Sequence, residues 1–317
     1  MVGTPPSSNK TTTIPVYVIP LKLNFTSQAQ ELASRVSPGC VYGPDGVTTI
    51  PGSCVALDKT YDGGSKVPAL LASPIFDHET YTQTHDTGVQ YGDAIQRAEF
   101  NKVGSKWHLE LGKPVVEPTI SIDVPQNQGV AYVNRRGVDM GKADSHWLGN
   151  QFNQVINQDH IPATALTIIQ TDNVYLYDAN DPNNCCTLGY HSVYATRDGN
   201  GAQATQTFIY AAYAKSGALS NPFIADIHAL SHEVSEWMND PFVWNFTPPW
   251  TTGDPFYGCN NFFETGDPVV GFGWLQNGYH PEDEALLSWF AREQPATTSY
   301  GGLYTFNNTF TTVPNTC

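Results

Sequence analysis

The sequence is poor in charge, and it lacks the patterns that mark nucleic-acid-binding and membrane-spanning proteins. Charged residues make up 14% of the 317 residues, and the 15 Lys and Arg are outnumbered by 30 Asp and Glu. The basic residues form no cluster, and a net charge of −15 would repel a phosphate backbone or an anionic bilayer. No run of about 18 apolar residues occurs, so no transmembrane helix is predicted. We therefore expect neither nucleic acid nor a membrane as a partner.

None of the cysteines shows the C-x-x-C spacing that is typical of zinc ribbons and thioredoxin-like sites. Their number is even, six, which favours disulfides and an oxidising compartment. The sequence alone leaves the pairing open, but the cysteines fall into local groups: Cys40 with Cys54, Cys185 with Cys186, and Cys259 with Cys317. A composition rich in Gly, Pro, Thr, Asn and aromatic residues also suits an extracellular protein. We expect a secreted protein whose signal peptide is absent from this sequence, because the first residues contain no apolar core.

Hydrophobic periodicity predicts a mixed α+β fold. Apolar and polar side chains alternate toward Phe25 within residues 14–25, as in a half-buried strand. Further strands are predicted at 115–124, 165–177, 191–196 and 205–213, and helices at 93–103, 144–157 and 282–292. Residues 1–12 are rich in Pro, Ser and Thr and predict a flexible lead-in. We expect residues 13–317 to form one domain, in which a twisted mixed sheet packs on helices and the C-terminal part is rich in loops.

One further helix is predicted from Pro222 to Asn239, and it carries the chemistry. Ser220 or Asn221 would cap its start, and Asp240-Pro241 would end it. One apolar stripe follows the helical repeat: Phe223, Ile227, Leu230, Val234, Trp237 and Met238. The opposite side carries His228, His232 and Glu236, one turn apart. An ordinary solvated face would carry Lys, Arg and Gln instead, so this face predicts a metal site.

Two pairs on this helix compete for the ion. Side chains at i and i+4 can converge on one metal, but residues eight apart are separated by about 12 Å along the axis. The pair His228 and His232 offers two imidazoles, the commoner zinc ligands. The pair His232 and Glu236 forms His-Glu-x-x-Glu, a variant of the metallopeptidase motif His-Glu-x-x-His. We favour the second pair, because Glu233 then stands where the general base of a hydrolase belongs.

A third ligand must come from elsewhere in the chain. The stretch Glu264-Thr-Gly-Asp267 offers two carboxylates on a turn next to Cys259. His280 is a second candidate, either as a ligand or as a donor to the oxyanion of a transition state. The isolated residues His78, His85, His108, His146, His160 and His191 are assigned no role.

These motifs resemble a known group of proteins. Leu230-Ser-His-Glu-Val-Ser-Glu-Trp-Met-Asn-Asp-Pro241, followed by Glu264-Thr-Gly-Asp267, is similar to secreted zincin-like proteins of bacteria and fungi. More distantly it resembles the plant phosphate-induced, exordium-type proteins, which carry a similar His-Glu-Leu-Ala-Glu segment. The resemblance implies a zincin-like core, with His232 and Glu236 as ligands, Glu233 as base, and Glu264 or Asp267 as the third ligand. Glu236 departs from the peptidase pattern, which has His at this place.

The sequence therefore predicts a secreted zinc-dependent hydrolase, most simply a monomeric endopeptidase that acts on peptide or protein substrates. Its metal ligands would be His232, Glu236 and Glu264, with Glu233 and His280 as catalytic groups. Calcium is the alternative ion if oxygen ligands dominate. Two other functions stay open: a metal-stabilised module that binds glycan or peptide on the cell surface, with aromatic residues near Trp244, Trp250 and Tyr257, and a metal-dependent esterase or glycan hydrolase.

Overall fold

The computed structural model describes residues 2–36, 55–100, 102–103, 106–158, 161–197, 202–253, 258–294 and 300–317. The helices are α1 Gln30–Val36, α2 Val67–Leu71, α3 Tyr91–Phe100, α4 Ser145–Gln158, α5 His228–Asn239 and α6 Leu287–Phe290. The strands are β1 Thr11–Ile14, β2 Val16–Phe25, β3 Lys59–Asp62, β4 Glu79–Tyr81, β5 Asp86–Val89, β6 His108–Leu111, β7 Val115–Val116, β8 Ile120–Asp123, β9 Gly129–Val133, β10 Asp139–Asp144, β11 Leu166–Asp172, β12 Val174–Tyr177, β13 Cys185–Thr187, β14 Gly189–Arg197, β15 Gln203–Tyr213, β16 Phe246–Trp250 and β17 Asn260–Phe262. The chain is thus mixed α+β, as the sequence predicts.

The largest sheet is mixed and has the order β14-β15-β11-β2-β3, with β7 and β8 also paired to β2. Strands β15, β11 and β2 run parallel, in the register Ile169↔Tyr210 and Ile169↔Ile19. Strand β14 is antiparallel to β15, from Gly189↔Ala211 to Arg197↔Gln203. Among the strands that the structure describes, β14 pairs on one side only. Strand β14 therefore forms an edge of this sheet, and helix α5 lies next to it.

The sheet is buried on both faces. On one face, Val18, Ile168 and Ile209 pack with α3 and with Leu230 and Val234 of α5. On the other face, neighbours along the same strands pack against one side of α4: Ile19, Ile169, Phe208 and Tyr210 with Leu148, Phe152 and Val155. This alternation follows the period of two along a strand. As a result, α5 lies against β15 and β14, and its polar side faces the edge of the sheet.

The start of the chain differs from the predicted flexible lead-in. Val2 N donates to Met238 O at the end of α5 (2.9 Å), and Thr4 O accepts from Trp107 Nε1 (2.9 Å). Strand β1 then pairs in parallel with β6 from Thr11↔His108. A segment rich in Pro and Thr is therefore ordered by contacts with distant residues, which local composition does not reveal.

Two predicted helices are shorter in the structure. Helix α5 begins at His228 rather than at Pro222, because Asp226 has a left-handed backbone (φ 42°) and bridges to Ala214 at the end of β15. The predicted helix 282–292 contracts to four residues, Leu287–Phe290. Residues before it are extended, and Ala285 bridges to Thr305. Glu282, Asp283 and Glu284 consequently project as buried carboxylates from extended backbone rather than from a helix.

Two of the three expected disulfides, Cys259–Cys317 and the vicinal Cys185–Cys186, are present. The third expected pair, Cys40 with Cys54, lies outside the described residues. The described part of the chain contains no helix that is long and apolar enough to cross a membrane.

Candidate metal centre

Helix α5 brings its polar side chains into the protein interior rather than into solvent. His228, Glu233 and Glu236 are all buried, and the His232 side chain is 12% exposed. His232 and Glu236 converge as the i, i+4 spacing predicts, with Nε2 of His232 3.2 Å from Oε2 of Glu236. A buried cluster of this kind requires compensating partners, since a buried charge is costly when it is unpaired.

The turn that follows β17 closes the site from the opposite side. The backbone N–H groups of Gly266 and Asp267 donate to Oε1 of Glu236 (3.0 and 3.1 Å). This leaves Oε2 of Glu236 facing His232, and Oδ1 of Asp267 lies 3.8 Å from Nε2 of the same imidazole. Ligand atoms of His232, Glu236 and Asp267 all lie within 4.8 Å of one another, so this group could hold a metal ion.

Glycine is required in this turn because the backbone passes against the His232 ring. A Cβ at Gly266 would lie 2.3 Å from Nδ1 and 2.7 Å from Cε1 of His232. The motif Glu264-Thr-Gly-Asp thus places a residue without a side chain where the imidazole needs room.

We expect Gly266→Ala to lower the metal affinity about tenfold or more, because the methyl group would displace the imidazole from its position. Isothermal titration with zinc would measure the change. Gly149→Ala in α4 is the matched control, since its Cβ would meet only Tyr190 Oη at 3.5 Å. Equal affinities in the two variants would contradict the tight approach of the turn to His232.

Glu282 fixes the orientation of His232. Its Oε2 lies 3.0 Å from Nδ1 of His232, and its Oε1 accepts from the backbone N–H of Gly271 (2.9 Å). With Nδ1–H bonded to a carboxylate, Nε2 carries the lone pair that a metal would take, an arrangement common around metal-bound histidines. His228 Nε2 lies 3.2 Å from the same Glu282 oxygen but is not aligned for a hydrogen bond. The pair His228 and His232 therefore meets at Glu282 rather than at a shared ion.

Glu233 lies beside the candidate ligands and is held by a histidine of the edge strand. Its Oε2 lies 3.1 Å from Nδ1 of His191, and its Oε1 lies 3.9 Å from Nε2 of His232. His191 Nε2 in turn donates to the carbonyl oxygen of Asp240 at 3.0 Å. Gly189, two residues before His191, makes room for Glu233, because a Cβ there would lie 2.9 Å from its Cγ.

A second group shares Glu236 with the first. Ligand atoms of His191, Glu236 and Glu264 also lie within 4.8 Å of one another. Nε2 of His191 is 3.7 Å from Oε2 of Glu264, and Nδ1 is 3.7 Å from Oε2 of Glu236. A third group, Asp93 with His108 and Glu110, lies on α3 and β6.

The carboxylates perturb one another strongly. Burial opposes the charge of Glu236, but the neighbouring His232 charge lowers its pKa to about 2. Burial and the charge of Glu236 raise the pKa of Glu264 to about 12, and the same two causes raise the pKa of Asp267 well above its usual range. Burial would lower the pKa of His232, yet Glu236 and Glu282 raise it. The cluster thus has more carboxylates than nearby cations, and a divalent ion would stabilise their charged forms.

The cluster opens into a cavity of about 690 Å³. One wall is formed by His232, Glu233 and Glu236 of α5, and another by residues 185–191, which include the Cys185–Cys186 disulfide. Glu264 and Asp267 also line the cavity. A substrate could therefore reach the candidate ligands from solvent.

Two of the predicted site residues are placed differently from expectation. Asp267, rather than Glu264, joins His232 and Glu236, whereas Glu264 faces His191. His280 lines a separate cavity of about 480 Å³, where its Nδ1 lies 2.6 Å from Oδ2 of Asp226. The structure does not bring His280 to the cavity of α5, because this carboxylate binds its ring.

Sequence reasoning missed His191 and Glu282. His191 stands on a strand without a motif around it, and only the fold places it opposite α5. Glu282 was expected in a helix, although three consecutive acidic residues just before an apolar segment are an unusual feature. No family model, curated protein or solved structure that was compared with this chain matches it.

Proposed function

We propose that this protein is a secreted zinc-dependent hydrolase, most simply an endopeptidase. The observation that carries the proposal is the convergence of His232, Glu236 and Asp267 on one point, with Glu233 beside them. The disulfides are compatible with secretion, because they persist in oxidising compartments.

The donor set fits zinc better than calcium. It offers one imidazole nitrogen and two carboxylate oxygens, which zinc accepts in catalytic sites that keep a further position open for water or substrate. Calcium prefers six to eight oxygen ligands, and His232 would not serve it well. The hydrogen bond from Nδ1 of His232 to Glu282 also suits a metal ligand, since it fixes the tautomer and increases the basicity of Nε2.

Glu233 would act as the general base. When bound, zinc would polarise the scissile carbonyl and lower the pKa of water at the site toward about 7. Glu233 would take up a proton from the attacking water and pass it to the leaving amine. Its Oε1 faces the candidate ligands, while the contact of Oε2 with His191 fixes the carboxylate. Burial raises the pKa of Glu233 above its ordinary value, as is common for carboxylates that act in acid–base catalysis.

The sheet edge supports a peptide substrate. Residues 189–191 of β14 line the cavity, and on the side away from β15 no described strand pairs with β14. An extended peptide could add to this edge through main-chain hydrogen bonds, a common mode of peptide recognition. The scissile bond would then lie over α5, where Glu233 and the candidate ligands are.

One observation favours a second function, a metal-stabilised binding module. Trp244 and Phe246 are 71% and 59% exposed, and their rings lie 6.2 Å apart between centroids. Phe262, whose ring is 5.3 Å from that of Phe246, lines the cavity. Exposed aromatic rings at a cavity rim suit a peptide or a sugar ring. Trp250, which the sequence predicts among these exposed aromatic residues, is buried instead, and Tyr257 lies outside the described residues.

Metal analysis and a peptide library together test the proposed function. We expect the purified protein to contain zinc and to cleave peptides, and we expect a chelator to abolish cleavage and lower the melting temperature. Zinc should restore both, and calcium should restore neither. If the metal-loaded protein hydrolysed no peptide, ester or glycan, the hydrolase would be wrong and the binding module the better function. If the chelator abolished cleavage without changing the metal content or the melting temperature, the result would argue against zinc as the catalytic ion.

A further inference from the structure

Glu264 is a buried carboxylate whose bonding is incomplete. It is 7% exposed, and neither of its two oxygens has a hydrogen-bond partner among the described residues. Buried polar atoms are nearly always bonded, so an orphaned carboxylate in the wall of a cavity points to a missing partner. For the ionised carboxylate that partner has to be a donor or a cation, because its oxygens only accept hydrogen bonds.

The surroundings of Glu264 favour a cation. Ligand atoms of His191, Glu236 and Glu264 all lie within 4.8 Å of one another. Nε2 of His191 donates to the carbonyl oxygen of Asp240, so Nδ1 is the nitrogen that would bind an ion. His191 is itself only 8% exposed. One imidazole and two carboxylates in this spacing are a donor set for a divalent transition metal.

Glu236 is suited to serve two ions. Its Oε1 accepts hydrogen bonds from the N–H groups of Gly266 and Asp267, which fix the orientation of the carboxylate. Its Oε2 lies between two imidazoles, 3.2 Å from His232 and 3.7 Å from His191. Both candidate groups therefore use the same oxygen of Glu236.

The charge of the cavity agrees with more than one ion. Five buried or half-buried carboxylates line the cavity: Glu233, Glu236, Glu264, Asp267 and Glu282. A single divalent ion at His232, Glu236 and Asp267 would leave the charge of Glu264 opposed only by His191, at 3.7 Å.

We propose that His191, Glu236 and Glu264 form a second divalent cation site next to the first, with Glu236 shared between the two. The inference rests on the proposed function, since that function supplies the first ion. Paired metal ions serve aminopeptidases among other hydrolases, so the second site assigns this protein to the two-metal class. The ion is a first-row transition metal such as zinc, because an imidazole is among the ligands.

Metal stoichiometry tests the second site. The protein is equilibrated with buffered zinc, dialysed, and analysed by plasma emission spectroscopy as wild type and as Glu264→Gln, Glu110→Gln and His232→Ala. We expect two zinc ions per wild-type chain, one in Glu264→Gln and two in Glu110→Gln. The Glu110→Gln variant is the matched control, because Glu110 belongs to the other group of potential ligands, with Asp93 and His108. Zinc anomalous diffraction from the wild type should give two peaks flanking Glu236.

The alternatives give distinct results. One ion per wild-type chain that persists in Glu264→Gln but is lost in His232→Ala would overturn the second site and leave the proposed function intact. One ion that is lost in both variants would also overturn it, because a single ion would then draw on both groups. Two ions with loss of one only in Glu110→Gln would place the second ion at Asp93 and His108, against the proposal. No bound zinc in the wild type would refute the proposed function itself.

Discussion

Glu233→Gln is expected to lower the rate of peptide hydrolysis by about 10² or more while zinc content and melting temperature stay close to those of the wild type. The amide keeps the size and shape of the carboxylate and can still form a hydrogen bond with Nδ1 of His191, so folding should be preserved. It cannot take up a proton, and the loss should therefore fall on kcat. Steady-state kinetics with zinc-loaded protein would measure it.

The matched control for this substitution is Glu31→Gln, which makes the same chemical change at an exposed position in α1. Parental kcat is expected there. Hydrolysis at the parental rate by Glu233→Gln would exclude Glu233 as the base and leave His191 to be examined in its place. A variant that lost zinc as well as activity would instead assign Glu233 to metal binding.

The part of the site that the sequence could predict is the part carried by one helix. The spacing of His232 and Glu236 determines that they meet one turn apart, since the period of an α-helix is nearly constant. The same holds for Glu233, whose place beside the ligands follows from its position next to His232. Local geometry suffices here, because these residues lie within five positions of one another.

The choice of third ligand could not be made from the sequence. Glu264 and Asp267 stand three residues apart on a turn, and either could reach α5. The choice depends on Gly266, whose N–H bonds to Glu236 and whose missing side chain lets the turn approach His232. That approach directs Asp267 toward His232 and Glu264 toward His191.

His191 and Glu282 could not be found by local patterns, because their roles depend on long-range packing. His191 reaches the cavity only since β14 adds to the edge of the sheet above α5. Glu282 meets His232 because its backbone N–H donates to Ser231 Oγ (2.9 Å). This hydrogen bond holds the extended segment around Glu282 against helix α5. A helix over 282–292 would have directed these carboxylates elsewhere.

The starting point of α5 shows a limit of capping signals. Asn221 and Pro222 are typical of a helix start, but the Asn221 side chain accepts from Phe223 N (3.0 Å) in a local turn. The bridge between Ala214 and Asp226 then holds the segment as a connection to β15. A sheet contact has here overridden a local preference for helix.

Two substitutions should distinguish the role of His232 as a metal ligand from the role of Glu282 in orienting its ring. His232→Ala removes the nitrogen that faces Glu236 and Asp267, and we expect zinc affinity to fall by about 10³ or more, with loss of activity. Glu282→Gln leaves that nitrogen in place but replaces the carboxylate at Nδ1, and we expect an affinity loss of about 10 to 100-fold. Competition with a chromophoric chelator would measure both affinities.

His146→Ala is the control for His232→Ala, because His146 is exposed on α4, and its zinc affinity should equal that of the wild type. The order of the two effects is the decisive result. If Glu282→Gln cost as much affinity as His232→Ala, Glu282 would itself bind the ion, and the metal would have to lie on the Nδ1 side of the ring near His228. A small effect of both substitutions would move the ion away from α5 altogether. The expected order, His232→Ala far above Glu282→Gln, follows from a ring that presents Nε2 to the ion and Nδ1–H to a buried carboxylate.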